Sequence, residues 1–230
     1  MLQVLLMMMQ SSIRQFSSAA RRYADKLYEL RVYSFKISNT KPLVKECKEA
    51  LPIRYSHSPG LGYFFAEIGG IGESVHIWEY ETYAQRAAIR KSLAGDPGWN
   101  DAAAPMLKLL EKQENVTMRL FPWSVVQTAV APGGVYHLYT FSFPSESSMA
   151  TMSESLQEFI KEADLTALGV WREELGKNIG RNAYALFHSP DYDSAKNPAL
   201  ASPQAWEKLA QTTSNVHGRL LSPAEWSSYQ

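Results

Sequence analysis

A chain of 230 residues with 23 basic and 23 acidic side chains lacks the charge bias of a nucleic-acid or polybasic membrane surface. With 45% hydrophobic residues it can build a core, at a length that suits one large domain or two small ones. Its single cysteine, Cys47, excludes an intrachain disulfide framework and Cys-rich metal sites, and no apolar run approaches the roughly 18 residues of a membrane span.

Residues 1–24 contain no acid, the first being Asp25, and carry Arg14, Arg21, Arg22 and the run Ser17-Ser18-Ala19-Ala20. That is the composition of a mitochondrial presequence. A secretory signal fits less well, because no basic residue precedes the apolar start and no cysteine pair follows. The expected leader is therefore 1–24, cut near residues 16–20, and the remainder carries 20 basic against 23 acidic groups, net −3.

Alternation over residues 28–35 predicts a half-buried strand. Pro42 opens a helix to about residue 55, which holds Cys47 as a small packed side chain, and Ser58-Pro59-Gly60 stops it. Strands follow at 61–68 and 74–80, joined by Gly69-Gly70-Ile71-Gly72-Glu73, a hairpin loop too short for a phosphate cradle. Helices at about 82–93 and 99–111 flank the turn Gly95-Asp96-Pro97-Gly98, and a strand at 115–121 ends at Pro122. The order is β-α-β-β-α-β, the ferredoxin-like arrangement.

A second unit starts after the linker, residues 128–134. Tyr136-His137-Leu138-Tyr139-Thr140-Phe141 repeats the first strand at an offset of 108. Leu168-Gly169, with Glu174-Leu175-Gly176, repeats Leu61-Gly62 and Glu67-Ile68-Gly69 at an offset of 107. Such agreement points to an internal duplication, with domains at 25–127 and 135–230. Arg219-Leu220 echoes Arg119-Leu120 at only 100, so the second copy has lost residues late in the unit. The expected class is α+β: tandem ferredoxin-like units of the dimeric α/β-barrel type. The barrel closes either between two chains of a homodimer or within one chain as a pseudo-dimer.

Strand parity puts Tyr28, Leu30 and Val32 on one face, expected beneath the helices, and Glu29, Arg31 and Tyr33 on the other. Tyr63, Phe65, Glu67, His76, Trp78, Tyr80 and Arg119 join that second face. A hairpin register summing to 143 sets Glu67 opposite His76 and Phe65 opposite Trp78. Rings interleaved with a few ionisable groups suit a concave ligand site, expected in the barrel lumen. Copy two offers His137, Tyr139 and a position near Ala183 or Tyr184 instead, with Glu174 as the counterpart of Glu67.

These residues resemble the NipSnap family: Tyr28-Glu29-Leu30-Arg31-Val32-Tyr33, His57-Ser58 with Leu61-Gly62-Tyr63, Glu67 with Gly69-Gly70, and Val75-His76-Ile77-Trp78-Glu79-Tyr80. Arg86, Arg90 and Leu93-Ala94 before Asp96 and Trp99 extend the match over about 27–127, while residues 134–230 match only weakly. The resemblance implies a dimeric α/β-barrel, similar in shape to small heme-degrading and quinol-oxidising monooxygenases. It also implies mitochondrial residence and ties to mitophagy signalling or membrane and vesicle traffic. It carries over no enzymatic activity, catalytic residue or cofactor.

Three functions follow as expectations. The first is a binding or adaptor protein without turnover, whose protein partners include autophagy receptors. Trp123-Ser124-Val125-Val126 and Trp206-Glu207-Lys208-Leu209 have the aromatic-x-x-aliphatic form of their ligands, although Trp206 and Leu209 suit a helix core better. The second is a small oxidative enzyme, with His76 paired to Glu67 for acid/base work, Arg31 or Arg119 holding an anion, and His57 as a weaker candidate. The third is a structural oligomer component. No His and carboxylate spacing suits a metal.

Overall fold

The computed structural model describes residues 26–130, 132–145, 148–195 and 198–230; the expected leader lies outside the described residues. The first half runs β1 (Leu27–Phe35), a 3-10 turn (Ile37–Asn39), α1 (Thr40–His57), β2 (Gly60–Ile68), β3 (Glu73–Tyr80), α2 (Tyr83–Ala94), α3 (Pro97–Lys108) and β4 (Leu110–Leu120). The second runs β5 (Val135–Ser142), α4 (Met149–Glu162), β6 (Thr166–Leu175), β7 (Asn182–Ser189), α5 (Pro198–Ala201), α6 (Pro203–Thr212) and β8 (Asn215–Pro223). Local chemistry sets the boundaries. The Thr82 hydroxyl accepts from the Gln85 N–H to start α2. Asp96 accepts from the Trp99 N–H to start α3, with Pro97 in the first turn.

Among the described residues the strands form one closed antiparallel barrel, in the order β1-β3-β2-β8-β5-β7-β6-β4, with β4 returning to β1. Two seams, β2–β8 and β4–β6, join the halves, so the barrel closes within one chain. At the first seam Gly69 has φ +81°, and a Cβ there would come within 2.1 Å of the Gly218 carbonyl oxygen. Only glycine permits that approach.

The two faces of the sheet are the reverse of the expected assignment. Tyr28, Leu30 and Val32 point into the barrel, where they pack with Phe64, Ile77, Met118, Leu138, Trp171, Leu186, Leu221 and Tyr229 in a core fed by every strand. Glu29, Arg31 and Tyr33 face outward, into the layer beneath the helices. Closure explains the reversal. A barrel interior needs a continuous apolar face from both halves, whereas a helix-covered layer with a cavity in it tolerates polar groups. The centre of the lumen is therefore packed core, with Tyr28 on Trp171 at 5.7 Å and Phe64 on Tyr136 at 4.9 Å between ring centres.

The hairpin register also differs. Tyr63 pairs with His76 and Phe65 with Ser74, a sum of 139. Phe64 and Phe65 pair with β3 on one edge of β2 and with β8 on the other; the pairing with β3 stops at Phe65, while that with β8 runs on to Ile68. Glu67 is carried away from His76.

After each half's last strand the chain straps onto the other half. The Phe121 N–H donates to the Val170 carbonyl and the Val170 N–H to Ser124 Oγ. In the same way the Ala224 N–H donates to the Tyr63 carbonyl and the Tyr63 N–H to Ser227 Oγ. Trp123-Ser124 and Trp226-Ser227 thus occupy matching places in two reciprocal straps.

Candidate functional site: a donor-rich cavity beneath the helices

Period-two geometry places Glu29, Arg31 and Tyr33 on one face of β1, with His76, Trp78 and Tyr80 beside them on β3, since Arg31 faces His76 and Glu29 faces Trp78 in the ladder. Glu29 is fully buried. Its Oε2 accepts from Arg31 Nη2 at 2.9 Å and from the Tyr80 hydroxyl at 3.2 Å. Its Oε1 accepts from Arg86 Nη2 at 2.6 Å and Asn115 Nδ2 at 2.8 Å. Burial works to raise its pKa, but the Arg86 hydrogen bond and the Arg31 charge outweigh it and hold the carboxyl at about 2. Glu29 is a permanent anion that anchors two guanidinium groups.

Arg54 enters from α1, nearly as buried. It donates to the Ser58 hydroxyl and to the Tyr80 hydroxyl (2.8 Å), and its guanidinium lies 3.8 Å over the Trp78 ring, a cation–π contact. Trp78 Nε1–H donates to His76 Nδ1 at 2.6 Å. An indole nitrogen only donates, so His76 accepts at Nδ1 and, being neutral, carries its proton on Nε2. Burial, then the Arg31 and Arg54 charges, push its pKa well below the usual histidine range. The ring stacks on Tyr63 at 4.7 Å and meets Tyr33 edge-on at 4.6 Å. Its Nε2 is buried and meets no hydrogen-bond partner among the described residues; neither does Arg31 Nε.

Both side chains open onto a cavity of about 290 Å³ between the sheet and α1, α2 and α3. Tyr33, Tyr63, Trp78, Leu51, Leu93 and Met106 supply apolar wall, Arg54 a second guanidinium, and Arg90, Trp99, Asn100 and Gln113 further polar and aromatic lining. No carboxylate is among the residues that line it. This arrangement can hold an acceptor on a flat apolar body; its histidine is in no state to take a proton at neutral pH.

The expected site residues divide accordingly. Arg31, Tyr33, Tyr63, His76 and Trp78 line the cavity. Glu29 and Tyr80 lie behind it and fix the arginines. Phe65 packs on Tyr63 and Trp226. Glu67 is exposed and accepts from the Tyr192 hydroxyl, so the expected His76–Glu67 pair does not form. Arg119 pairs with Glu174 at 2.9 Å, away from this cavity. His57 bonds Asp96 at 3.1 Å and ties the end of α1 to the α2–α3 turn. Burial pushes the Cys47 thiol up to about 11 beside the Tyr63 hydroxyl. Arg54 was missed, although it sits on the apolar stripe Leu43, Cys47, Ala50, Leu51 of α1; a charge on such a stripe was the signal.

The second half lacks this chemistry. Tyr139 faces Ala185 as Arg31 faces His76, and His137 faces Phe187 as Glu29 faces Trp78. The counterpart of His76 is therefore Ala185, next to the expected position near Ala183 or Tyr184. Phe141, Met152, Leu156, Phe159, Val170 and Leu209 form an apolar layer here, and His137 and Tyr139 line an opening of about 820 Å³ with Glu162, Asp164, His188 and Asp191. A further opening of about 810 Å³ lies at one end of the barrel, where Asn182, Tyr184, Ser142 and Arg219 replace the apolar interior. Neither short aromatic motif is free. Trp123 stacks on Phe121 and donates to the Ser153 hydroxyl, while Trp206 packs on Phe159 and Leu209 is buried.

Residues 28–125, which contain the whole cavity, match the NIPSNAP family model. The chain is 32% identical over 166 residues to NipSnap homolog 3B of Mus musculus, covering 70% of this chain and 67% of that protein. It is 35% identical over 128 residues to human NipSnap homolog 3A, covering 55% of this chain and 51% of that one, so it spans about half the length of its human relatives. In shape it is similar to a Fusobacterium nucleatum protein described as a candidate monooxygenase, with TM-score 0.66 at 12% identity over 88% of this chain and 94% of the other. At that identity the likeness shows the fold alone. Family model and mouse relative together place the chain in the NipSnap family, to which it belongs.

Proposed function

We propose that this NipSnap protein binds a small molecule in the cavity beneath α1, α2 and α3 and does not turn it over, as part of a binding or adaptor role in mitochondria. The observation that carries the reading is His76 Nε2, a buried donor with no partner among the described residues, opening onto that cavity. Buried polar groups are rarely left unpaired without a functional reason. Binding is favoured over turnover because a general acid or base works best with a pKa near the operating pH. His76 lies well below that range and the Tyr63 hydroxyl well above its ordinary value, in both cases chiefly through burial.

Mitochondrial placement draws on the acid-free first 24 residues and on the family. A role in mitophagy signalling or membrane traffic, implied by the resemblance, would be exerted through folded surface, since both aromatic motifs are packed. We read 25–127 and 135–230 as diverged copies of one ferredoxin-like unit joined by 128–134, the first copy keeping the site and the second serving as its structural wall.

A fragment set screened by ligand-observed NMR tests the binding reading against wild type and Ala94→Trp, which places a ring at the exposed lip of the cavity. Hits in wild type that vanish in the variant support it; no hits, or hits indifferent to the substitution, overturn it. A second reading, an oxidative enzyme, rests on the likeness of fold and on the rings around His76. Uptake of heme or flavin with visible absorbance supports that alternative, and a colourless protein that takes up neither removes it.

A further inference from the structure

We infer that the ligand of this cavity is a flat organic monoanion, a carboxylate or enolate carried on one or two rings; this rests on the binding reading above. Charge gives the sign. Arg31, Arg54, Arg86 and Arg90 converge on the layer, and the carboxylate set against them, Glu29, is shared by Arg31 and Arg86. Arg54 spends its bonds on neutral hydroxyls. The cavity wall carries guanidinium charge and no carboxylate, so an anion gains and a cation loses.

Donor count gives the functional group. The unpartnered buried atoms at the cavity, His76 Nε2 and Arg31 Nε, both donate. A ligand that satisfies them brings acceptor oxygens, and a hydroxyl or amine would fill the need less well. Charge and donor count alone admit a phosphate as well; the helix end beside the cavity tells the two apart. The obvious phosphate seat, the start of α3, is closed, because Asp96 already caps the Trp99 N–H and Pro97 has no N–H to offer.

Size and walls give the body. About 290 Å³ lies at the lower end of the roughly 300–1,000 Å³ typical of ligand sites. Rings of Tyr33, Tyr63, Trp78 and Trp99 line it, and flat partners pack best on such surfaces.

Isothermal titration with 2-naphthoate, 2-naphthyl phosphate, 2-naphthalenemethanol and 2-naphthylmethylammonium tests this on the whole chain. Naphthoate is expected to bind at least tenfold tighter than the other three. Arg90→Ala, at an exposed position, is expected to weaken it several-fold, and His76→Leu by tenfold or more. His76→Gln, which keeps an acceptor for Trp78 and a donor for the ligand, is expected to restore part of the loss. Should His76→Leu fail to fold, Arg90→Ala and the four-probe ranking still decide. Phosphate, alcohol or ammonium binding as tightly as naphthoate overturns the ligand class while leaving the cavity reading standing. If none of the four binds, the class also falls, and the fragment screen on Ala94→Trp decides separately whether the binding reading survives.

Discussion

Glu29 is a carboxylate with no solvent exposure that nonetheless stays ionised. Its pKa of about 2, against an ordinary 4.5, means that the folded state binds its proton later than the unfolded one. The stability it contributes is therefore complete above pH 4.5 and lost as pH falls toward 2, on the order of 3 kcal/mol. His76 acts at higher pH. Burial and two arginines keep its folded pKa well below 6.5, so stability declines once pH drops below 6.5 and the unfolded chain takes up the proton. Urea midpoints for the wild type should fall gently below pH 6.5 and more steeply below 4.5. Glu29→Gln should cost about 3–5 kcal/mol at pH 7 by stranding Arg31 and Arg86, and should flatten the lower step. An equal pH profile in wild type and variant would contradict the assignment. At this scale the sequence was readable where period two applied: Glu29 with Arg31 and Tyr33, and His76 with Trp78 and Tyr80, were grouped from parity alone. Which side of the sheet they faced was not readable, because the decision belongs to strands of the other half, more than a hundred residues away.

Helix α2 is the weakly held wall of the site. Of its side chains only Leu93 is buried. Its polar attachments include the Thr82 cap, the Tyr83 hydroxyl against Thr117 at 2.7 Å and Glu174 at 3.2 Å, Ser92 against His57 at 3.4 Å, and the Arg86–Glu29 pair at 2.6 Å. Elements with few buried apolar contacts open locally before the rest of a fold. Arg86→Ala is therefore expected to raise hydrogen exchange across α2 by tenfold or more, with the amides of β5, β6 and β7 changed far less; Arg86→Lys should recover part of the protection. Uniform acceleration across the chain would mean that the pair supports global stability instead of latching one helix. The helix itself was legible at about 82–93, between the strand ending at Tyr80 and the turn Gly95-Asp96-Pro97-Gly98. The hairpin before it was not placed in register, because its pairing stops at Phe65↔Ser74 and leaves residues 66–73 as the connection, longer than the glycine loop alone.

Closure of the barrel within one chain depends on the straps as well as on the seams. Residues 224–230 lie across the first half: Trp226 packs on Tyr63 and Phe65, Tyr229 is buried in the barrel core with its hydroxyl on the Gln127 carbonyl, and Ser227 Oγ receives the Tyr63 N–H. Tyr63 is also a wall of the cavity and the ring on which His76 stacks, so the end of the second half supports the site in the first. Offsets of 108 and 107 announced two related halves, but nothing in them distinguished edges that pair with each other from edges that pair with another chain. The Trp-Ser pairs at 123–124 and 226–227 were the overlooked clue, recurring at an offset of 103. Ser227→Ala removes an acceptor from a buried N–H and should cost about 1–3 kcal/mol. Deleting 224–230 adds the loss of a core tyrosine and a packed tryptophan, and should exceed about 4 kcal/mol, by comparison with buried aromatic truncations. Thermal melts and size-exclusion profiles of both variants check this. If the straps complete the intramolecular barrel, the deletion lowers the melting temperature far more than the serine change and weakens naphthoate binding with it. A deleted chain that melts and binds as the full one does would show that the two seams suffice, and that the reciprocal straps are ornament on a barrel already closed.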